Sequence, residues 1–107
     1  MGVQALQSGN TTGNVAIGYW ALRQINFPIG TVGDYNTAIG HGAGTGFTGS
    51  NSVLLGRDAG RSKSGDNKLY IDNSSTATPL IYGEFDNDLV RINGDLEVTG
   101  SFPGTDD

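Results

Sequence analysis

The stretch "NVAIG" at residues 14–18 decides the fold, because two close copies of it follow along the chain. The copies read "NTAIG" at 36–40 and "NSVLLG" at 51–56. When the three phrases are aligned on their final glycine, they are separated by 22 and 16 residues. The dipeptide "AL" at 5–6 recurs at 21–22, again 16 residues later. A unit of 16 residues therefore repeats along the first part of the chain.

The longer spacing reflects extra residues within "RQINFPIGTVGDY" (23–35). A fixed period whose insertions fall in one place is typical of stacked repeats. The unit is too short for two helices and a turn, and each glycine inside a helix would cost about 1 kcal/mol. Each unit instead reads as a strand, a glycine bend, a short second run and a polar loop. The sequence thus predicts an all-β fold in which each unit is one rung of a stacked parallel β-roll.

Side chains alternate within each phrase. Val15 and Ile17 flank Ala16, which is the period of two that a strand requires. We expect the branched residues to be buried on one face of the roll and the Ala or Leu residues to lie on the other. The glycine that closes each phrase, Gly18 in the first, is expected at a corner where a Cβ atom would clash or φ is positive.

Such a roll is too thin to be stable alone. A rung holds about four apolar side chains, each worth at most about 1.5–3 kcal/mol when buried. Ordering the backbone of one rung costs at least about 16 kcal/mol of conformational entropy. We therefore expect copies of the chain to bury the Ala/Leu face against one another, with Ala16 and Ala38 allowing close approach around an axis.

Composition excludes several classes of protein. A disordered segment would normally carry more charge than the 16% of this chain and fewer β-branched and aromatic residues, so we expect a folded chain. The net charge is −5 and only "GRSKSG" (60–65) is locally basic, so nucleic acid is not expected as a partner. The chain has no cysteine, which excludes disulfides and thiolate metal sites. No apolar run approaches the roughly 18 residues of a membrane span, so no membrane insertion by this segment is expected.

The pattern changes after residue 65. We expect residues 1–66 to form the β-roll segment and residues 67–107 to form a second segment of short strands. The strand-like runs are "KLYIDN" (68–73), "PLIYGEF" (79–85), "LVRING" (89–94) and "DLEVTG" (95–100). Turn signals occur at 85–88 and at Asn93–Gly94. We expect a small β-prism-like antiparallel sheet with Leu96 and Val98 inside; the alternative is a continuation of the roll with longer rungs.

The repeated phrases resemble a known group of proteins. Rungs of the form N-[TSV]-x-[AL]-[IL]-G-x-x-A are similar to the head repeats of YadA-type trimeric autotransporter adhesins, and still more to repeats of bacteriophage and predatory-bacterium fibre proteins. The stretch "NKLYIDNSSTATPLIYGEFDNDLVRINGDLEVTGSF" (67–102) is similar to segments that follow such repeats in bacterial fibre proteins. The rungs here are longer and less even than those of the adhesin heads, so the collagen binding of those heads is not carried over.

The resemblance implies a left-handed parallel β-roll, a left-handed solenoid, wound as an intertwined homotrimer. It also implies an extracellular location, at the cell surface or on a virion fibre, as part of a longer fibre protein. We expect a trimeric fibre or adhesin module that attaches to the surface of a host, prey or partner cell through a glycan or protein there. Two other functions stay open: a fibre shaft or spacer without a ligand, and a glycan-cleaving tailspike.

Three features with catalytic potential do not meet the requirements of the chemistry. "GTGFTG" (44–49) matches G-x-G-x-x-G, but no helix pattern follows it, as a dinucleotide site would require. "EFDND" (84–88) holds three carboxylates but lacks the Gly and the distant Glu of an EF-hand loop, so we expect a turn. His41, the only histidine, has no Ser or Cys spacing that suggests a nucleophile. We therefore expect no enzymatic activity and no catalytic, cofactor-binding or metal-binding residues.

The register of the repeats predicts one binding surface. Residues after the bend should stack in columns, with Tyr19, His41 and Arg57 in one column and Trp20 in the next. Trp20 lies beside the long insertion, which contains Phe27. Exposed aromatic side chains near irregular loops often bind sugars or proteins. Tyr19, Trp20, Phe27, His41 and Arg57 are therefore candidates for ligand contact, although the interpretation we favour is that Trp20 and Phe27 fill the seam between two chains.

Overall fold

The computed structural model describes residues 5–6, 11–24 and 33–102, and this part of the chain is all-β, as predicted. Six strands form one sheet, in which they lie side by side in chain order. The elements are β1 (Val15–Ile17), β2 (Thr37–Ile39), β3 (Val53–Leu55), β4 (Lys68–Ile71), β5 (Ile81–Glu84), a short 3-10 helix (Phe85–Asn87) and β6 (Leu89–Ile92). No α-helix occurs among the described residues.

Strands β1 to β4 are parallel, and their pairing follows the sequence repeat. Val15 pairs with Thr37, Thr37 with Val53, and Val53 with Leu69. These pairings reproduce the predicted spacings, first the longer one and then the regular one. Strand β4 adds a fourth unit, although Asp72 stands there in the place of the closing glycine.

The closing glycines lie at corners, and the reasons given for this prediction are confirmed. Gly18, Gly40 and Gly56 have φ angles of 127°, 135° and 113°, a region that side chains disfavour. A Cβ atom on Gly18 would also lie 2.6 Å from the carbonyl oxygen of Gly40. Each corner is therefore closed to any larger residue by φ and by the unit next to it.

After each corner the chain makes successive turns that stack on the turns of the neighbouring units. The N–H of Ala43 bonds within its own unit, to the Gly40 carbonyl at 3.1 Å. The N–H of Gly42 bonds to Tyr19 of the preceding unit, and that of Gly44 to Ala59 of the following unit, both at 2.8 Å. Every second residue has positive φ in these turns, which explains the "HGAGTG" pattern (41–46) that also produced the apparent nucleotide motif.

The asparagine that opens the first two phrases links one unit to the next. The Asn14 side-chain oxygen accepts the N–H of Asn36 at 2.7 Å, and the Asn36 side-chain oxygen accepts the N–H of Ser52 at 2.9 Å. Ser52 Oγ then accepts the N–H of Lys68 at 2.9 Å. Asn36 and Ser52 are fully buried. The polar residue before each strand therefore satisfies a backbone donor that the ladder leaves without an acceptor.

The two faces of the strands are the reverse of our prediction. The central residues Ala16 and Ala38 are buried, whereas the branched residues Val15, Ile17 and Ile39 are 41–45% exposed. The buried core consists of Ala16, Ala21, Leu22, Ala38, Ala43, Phe47, Leu54, Ala59 and Tyr70, of which five are alanine.

The physical reason is the shallow space behind the strands. A Cβ atom on Gly44 would lie 2.8 Å from the nearest side-chain carbons of Leu22 and Leu54, and 3.6 Å from the Ala38 Cβ. At the level of Ala38 there is depth for a methyl group only, and the larger Leu54 fits because glycines face it. Branched side chains therefore point outward, and Ala16 and Ala38 cannot form a contact between copies.

Strands β5 and β6 form an antiparallel hairpin, which extends the same sheet instead of forming a separate one. The turn predicted at 85–88 is confirmed: the 3-10 helix occupies it, and Asp88 leaves it with a φ of 50°. Three copies of this segment arranged as a prism remain a prediction.

The strand predicted at 95–100 does not form within the chain. All residues from 93 to 102 are exposed, and Leu96 and Val98, expected inside, are 61% and 44% exposed. The cause lies at the expected Asn-Gly turn. The Asn93 N–H donates to the Leu80 carbonyl at 3.0 Å and its side chain to the Pro79 carbonyl at 2.8 Å. Asn93 therefore continues the pairing of β6 with the residues before β5, and neither Asn93 nor Gly94 has the positive φ that a tight Asn-Gly turn needs.

Candidate functional site

The predicted column of Tyr19, His41 and Arg57 exists in the structure. Backbone hydrogen bonds hold neighbouring units in this register: the Gly42 N–H donates to the Tyr19 carbonyl and the Asp58 N–H to the His41 carbonyl, both at 2.8 Å. The rings of Tyr19 and His41 stack with centroids 5.4 Å apart and an interplanar angle of 8°. The stacking of backbone units thus places two aromatic rings in direct contact on the surface.

Trp20 belongs to the same aromatic group. Its ring centroid lies 4.8 Å from that of Tyr19 and 6.0 Å from that of His41, tilted against both. The Arg23 guanidinium carbon lies 5.0 Å from the centroid of the Trp20 ring, which is a cation–π arrangement. We call Tyr19, Trp20 and His41 the aromatic cluster. Tyr19 is 41% exposed and His41 is exposed, whereas Trp20 is half-buried.

Arg57, the cationic member of the column, forms an ion pair with Asp58. Arg57 Nε lies 3.7 Å from Asp58 Oδ2, and Arg61 Nη1 lies 3.2 Å from Asp58 Oδ1. The Arg57 side chain nevertheless keeps 69% of its surface exposed. Of the five predicted contact residues, the structure therefore brings three into one cluster, with Arg57 one unit beyond. Phe27 lies outside the described residues.

A polar cluster on the hairpin was not predicted. The Tyr82 hydroxyl donates to Glu84 at 2.6 Å, and the Asn87 side chain donates to the other Glu84 oxygen at 2.7 Å. Lys68 Nζ lies 3.6 Å from Glu84. These hydrogen bonds, first that of Tyr82 and then that of Asn87, lower the pKa of Glu84. The antiparallel register that pairs Lys68 with Glu84 is the only signal that could have revealed this cluster.

The aromatic rings of this region close the end of the core. Tyr70 and Tyr82 meet edge to face with centroids 5.6 Å apart, and the Arg91 guanidinium carbon lies 5.2 Å from the Tyr82 centroid. Burial raises the pKa of the Tyr70 hydroxyl. Because these groups bind one another, the cluster reads as the attachment of the hairpin to the repeats.

The loop before β5 is organised by Asp72. Its carboxylate accepts the Leu80 N–H at 2.8 Å and the Ser74 hydroxyl at 2.9 Å. The Leu80 N–H and then the Ser74 hydroxyl hold the pKa of Asp72 below its usual value. Across the described residues, no three His, Cys, Asp or Glu side chains are grouped in a way that could hold a metal ion.

The outward side of the sheet is a surface that sequence reasoning assigned wrongly. Following the pairings from β1 to β6, one column consists of Ile17, Ile39, Leu55, Ile71, Ile81 and Ile92. The column beside it consists of Val15, Thr37, Val53, Leu69, Gly83 and Val90. We call these two columns the aliphatic face. With strands about 4.8 Å apart, it is roughly 24 Å long.

None of the protein families, characterised proteins or solved structures compared with the chain matches it. In the described ranges there is no helix with the length and apolarity needed to cross a membrane. The features of the molecule that point to a function are the two surfaces described above, the aliphatic face and the aromatic cluster.

Proposed function

We propose that this chain is a module of a homotrimeric extracellular fibre, built as a left-handed β-roll, which attaches to the surface of another cell. The observation that carries the proposal is the inverted distribution of apolar side chains. The six-membered Ile/Leu column lies outside the sheet, while alanine makes up most of the core behind it.

A chain that functions alone would place these residues the other way round. Burying a branched side chain is worth about 1.5–3 kcal/mol, whereas burying alanine contributes much less. Monomeric soluble proteins also rarely expose contiguous apolar patches larger than a few hundred Å². The aliphatic face is continuous over six strands, and four of its members are 41–64% exposed. Contact with further copies would remove this surface from water.

The shape of the chain and its repeats favour a rod of three chains. The chain measures 53 × 23 × 22 Å, with the strands stacked in a single series. The number three comes from the resemblance of the repeats to those of trimeric fibre proteins. In such a rod the aliphatic faces would meet at the axis, and the hairpins would continue the same interior.

Attachment is assigned to the aromatic cluster because assembly would leave it accessible. Ile17 and Ile39 precede the corner glycines, whereas Tyr19 and His41 follow them. The cluster therefore lies around the corner from the aliphatic face. Aromatic rings beside guanidinium groups are suited to sugars and to polar protein surfaces, because the rings offer apolar area and the guanidinium groups offer donors.

Light scattering on the purified chain tests the assembly. We expect a mass of three chains for the wild type and loss of this mass for Ile39→Glu, which places a charge on the aliphatic face. Ser75→Glu, at an exposed loop position, is the matched control and should keep the mass of three chains. A wild-type chain that is folded and single would contradict the proposal.

Binding to a glycan array and to whole cells tests attachment. We expect binding by the wild type, loss of binding for Tyr19→Ala, and retained binding for Tyr35→Ala, which alters another exposed tyrosine. Absence of binding by a wild-type trimer would favour the second candidate, a shaft or spacer. The ion pairs of Arg57 and Arg61 with Asp58 favour that candidate, because they occupy charges that a ligand would need. Turnover of polysaccharide would instead indicate a tailspike.

A further inference from the structure

The sheet ends in an open edge, and the chain that leaves this edge is exposed. Strand β6 is the last strand of the sheet, and within the described residues nothing pairs with its outer edge. Residues 93 to 102 follow it, and all of them are exposed. An unpaired edge presents backbone donors and acceptors that can bind another strand.

The exposed segment has the pattern of a half-buried strand. Leu96 and Val98 alternate with Asp95, Glu97 and Thr99, which is the period of two of a strand with one apolar face. We call these five residues the tail segment. Within its own chain it does not form the next strand, and neither Asn93 nor Gly94 has the positive φ that a tight Asn-Gly turn needs.

We propose that the tail segment of one copy adds as an antiparallel strand to the β6 edge of a second copy. This inference rests on the proposed self-association and specifies how the copies are joined. In a ring of three, each copy would give its tail segment to the next and receive one in return, so that no β6 edge stays open.

Two features select one register for this pairing. Val90 and Ile92 belong to the aliphatic face, so the incoming Leu96 and Val98 must point to the same side to be covered. Arg91 points to the opposite side, where it contacts Tyr82 and stays exposed.

The register that places Val98 opposite Val90 and Leu96 opposite Ile92 meets the first requirement. It also brings Glu97 opposite Arg91, which adds a favourable cross-strand charge pair. A slip of one residue would move both apolar side chains to the polar side.

The second copy is favoured over other occupants by this complementarity. The tail segment carries two carboxylates and two apolar residues, and the β6 edge presents an arginine between two apolar residues. With the tail segment in place, the aliphatic face would gain a seventh strand and each of its columns a further apolar member. The surface between the copies would then be a continuous extension of the aliphatic face.

Disulfide trapping tests the pairing, and the absence of native cysteine makes it clean. Val90→Cys and Val98→Cys, made as two separate variants, are refolded together and oxidised. We expect a covalent dimer of the two different variants on a non-reducing denaturing gel. The control mixes Val90→Cys with Leu96→Cys; in the proposed register their Cβ atoms are diagonal neighbours, roughly 6–8 Å apart, too far for a disulfide.

The outcomes separate the two proposals. A trimer by light scattering that gives no Val90–Val98 cross-link between chains would overturn the exchange and leave the trimer standing. A disulfide that forms only within one chain, in the double variant, would overturn it as well. A stronger cross-link in the control would show a parallel pairing or a slip of two residues, and either would refute the register. A wild-type chain that is single and folded would refute both proposals.

Charge exchange gives a second measurement. Arg91→Glu or Glu97→Arg alone should raise the dissociation constant of the assembly by roughly 1.5- to 5-fold per strand pair. The double variant, which restores opposite charges, should recover part of the loss. Equal weakening by both single variants without any recovery would contradict the proposed contact between these two side chains.

Discussion

Replacing Gly40 by alanine should destabilise the protein strongly, although Gly40 is only partly buried. Gly40 has a φ of 135°, and an added Cβ atom would lie 2.7 Å from the carbonyl carbon and oxygen of Gly56. A side chain in such a disfavoured backbone region costs about 1–3 kcal/mol. Overpacking against a backbone that is held in a ladder costs about 1–3 kcal/mol more.

The expected total of about 2–6 kcal/mol is a large part of the roughly 5–15 kcal/mol that stabilises a typical domain. Urea unfolding at a fixed protein concentration, followed by the fluorescence of Trp20, measures the loss. Gly100→Ala is the matched control, because nothing lies within 4 Å of the Cβ atom that it would add. If both variants unfold at the same urea concentration, the corner does not constrain the chain as described, and the reasoning on the repeat fails.

Three further predictions concern polar groups. Asn36→Ala should cost about 2–5 kcal/mol in the free energy of unfolding, because it strands two buried backbone groups, while the exposed Asn73→Ala should change it little; urea unfolding compares them. The lowered pKa of Asp72 means that its contribution to stability is present above about pH 3.9, the usual pKa of an unfolded aspartate, and is lost as the pH falls through the lower folded value. Asp72→Asn should remove this part of the acid dependence of the unfolding midpoint, and an unchanged dependence would assign it elsewhere. Tyr82→Phe should raise the pKa of Glu84, which an NMR pH titration of the Glu84 carboxyl would measure; no change would show that the hydrogen bond is weak.

The sequence was sufficient for the repeat, its register and its corners. The glycine after each branched residue could be assigned to a corner from the sequence. Only glycine fits a position that has positive φ and lies in contact with the backbone of the next unit. The column of Tyr19 and His41 followed from the same register. These features depend on the main chain, whose geometry repeats whenever the phrase repeats, and so a local pattern was enough to predict them.

Which face of each strand is buried could not be predicted in this way. A period of two separates Val15 and Ile17 from Ala16 but does not say which set points inward. That depends on the depth behind the sheet, which is set by Gly44, Leu22 and Leu54 at distant positions in the sequence. The usual rule that larger apolar residues are buried then gives the wrong answer for this chain, whose branched side chains lie on the outer face.

The prediction of a tight turn at Asn93–Gly94 was wrong for a related reason. The dipeptide favours a tight reversal, but Asn93 is bound by its backbone and its side chain to the residues that precede β5. Neither residue has the positive φ that this turn requires, so the local preference is not realised. The Tyr82–Glu84 pair was missed because it depends on the register of a hairpin and not on any motif.

The stacked turns after the corners do not depend on the side chains of their outermost residues. Neighbouring units are joined there by peptide groups, so the identity of the side chain at the Tyr19, His41 and Arg57 positions does not enter the joint. Substitution at these positions would change one surface residue in each unit, with successive units about 4.8 Å apart, while the backbone beneath them stays the same. The surface chemistry of such a chain can therefore change through substitutions at these positions alone, with no change in the fold.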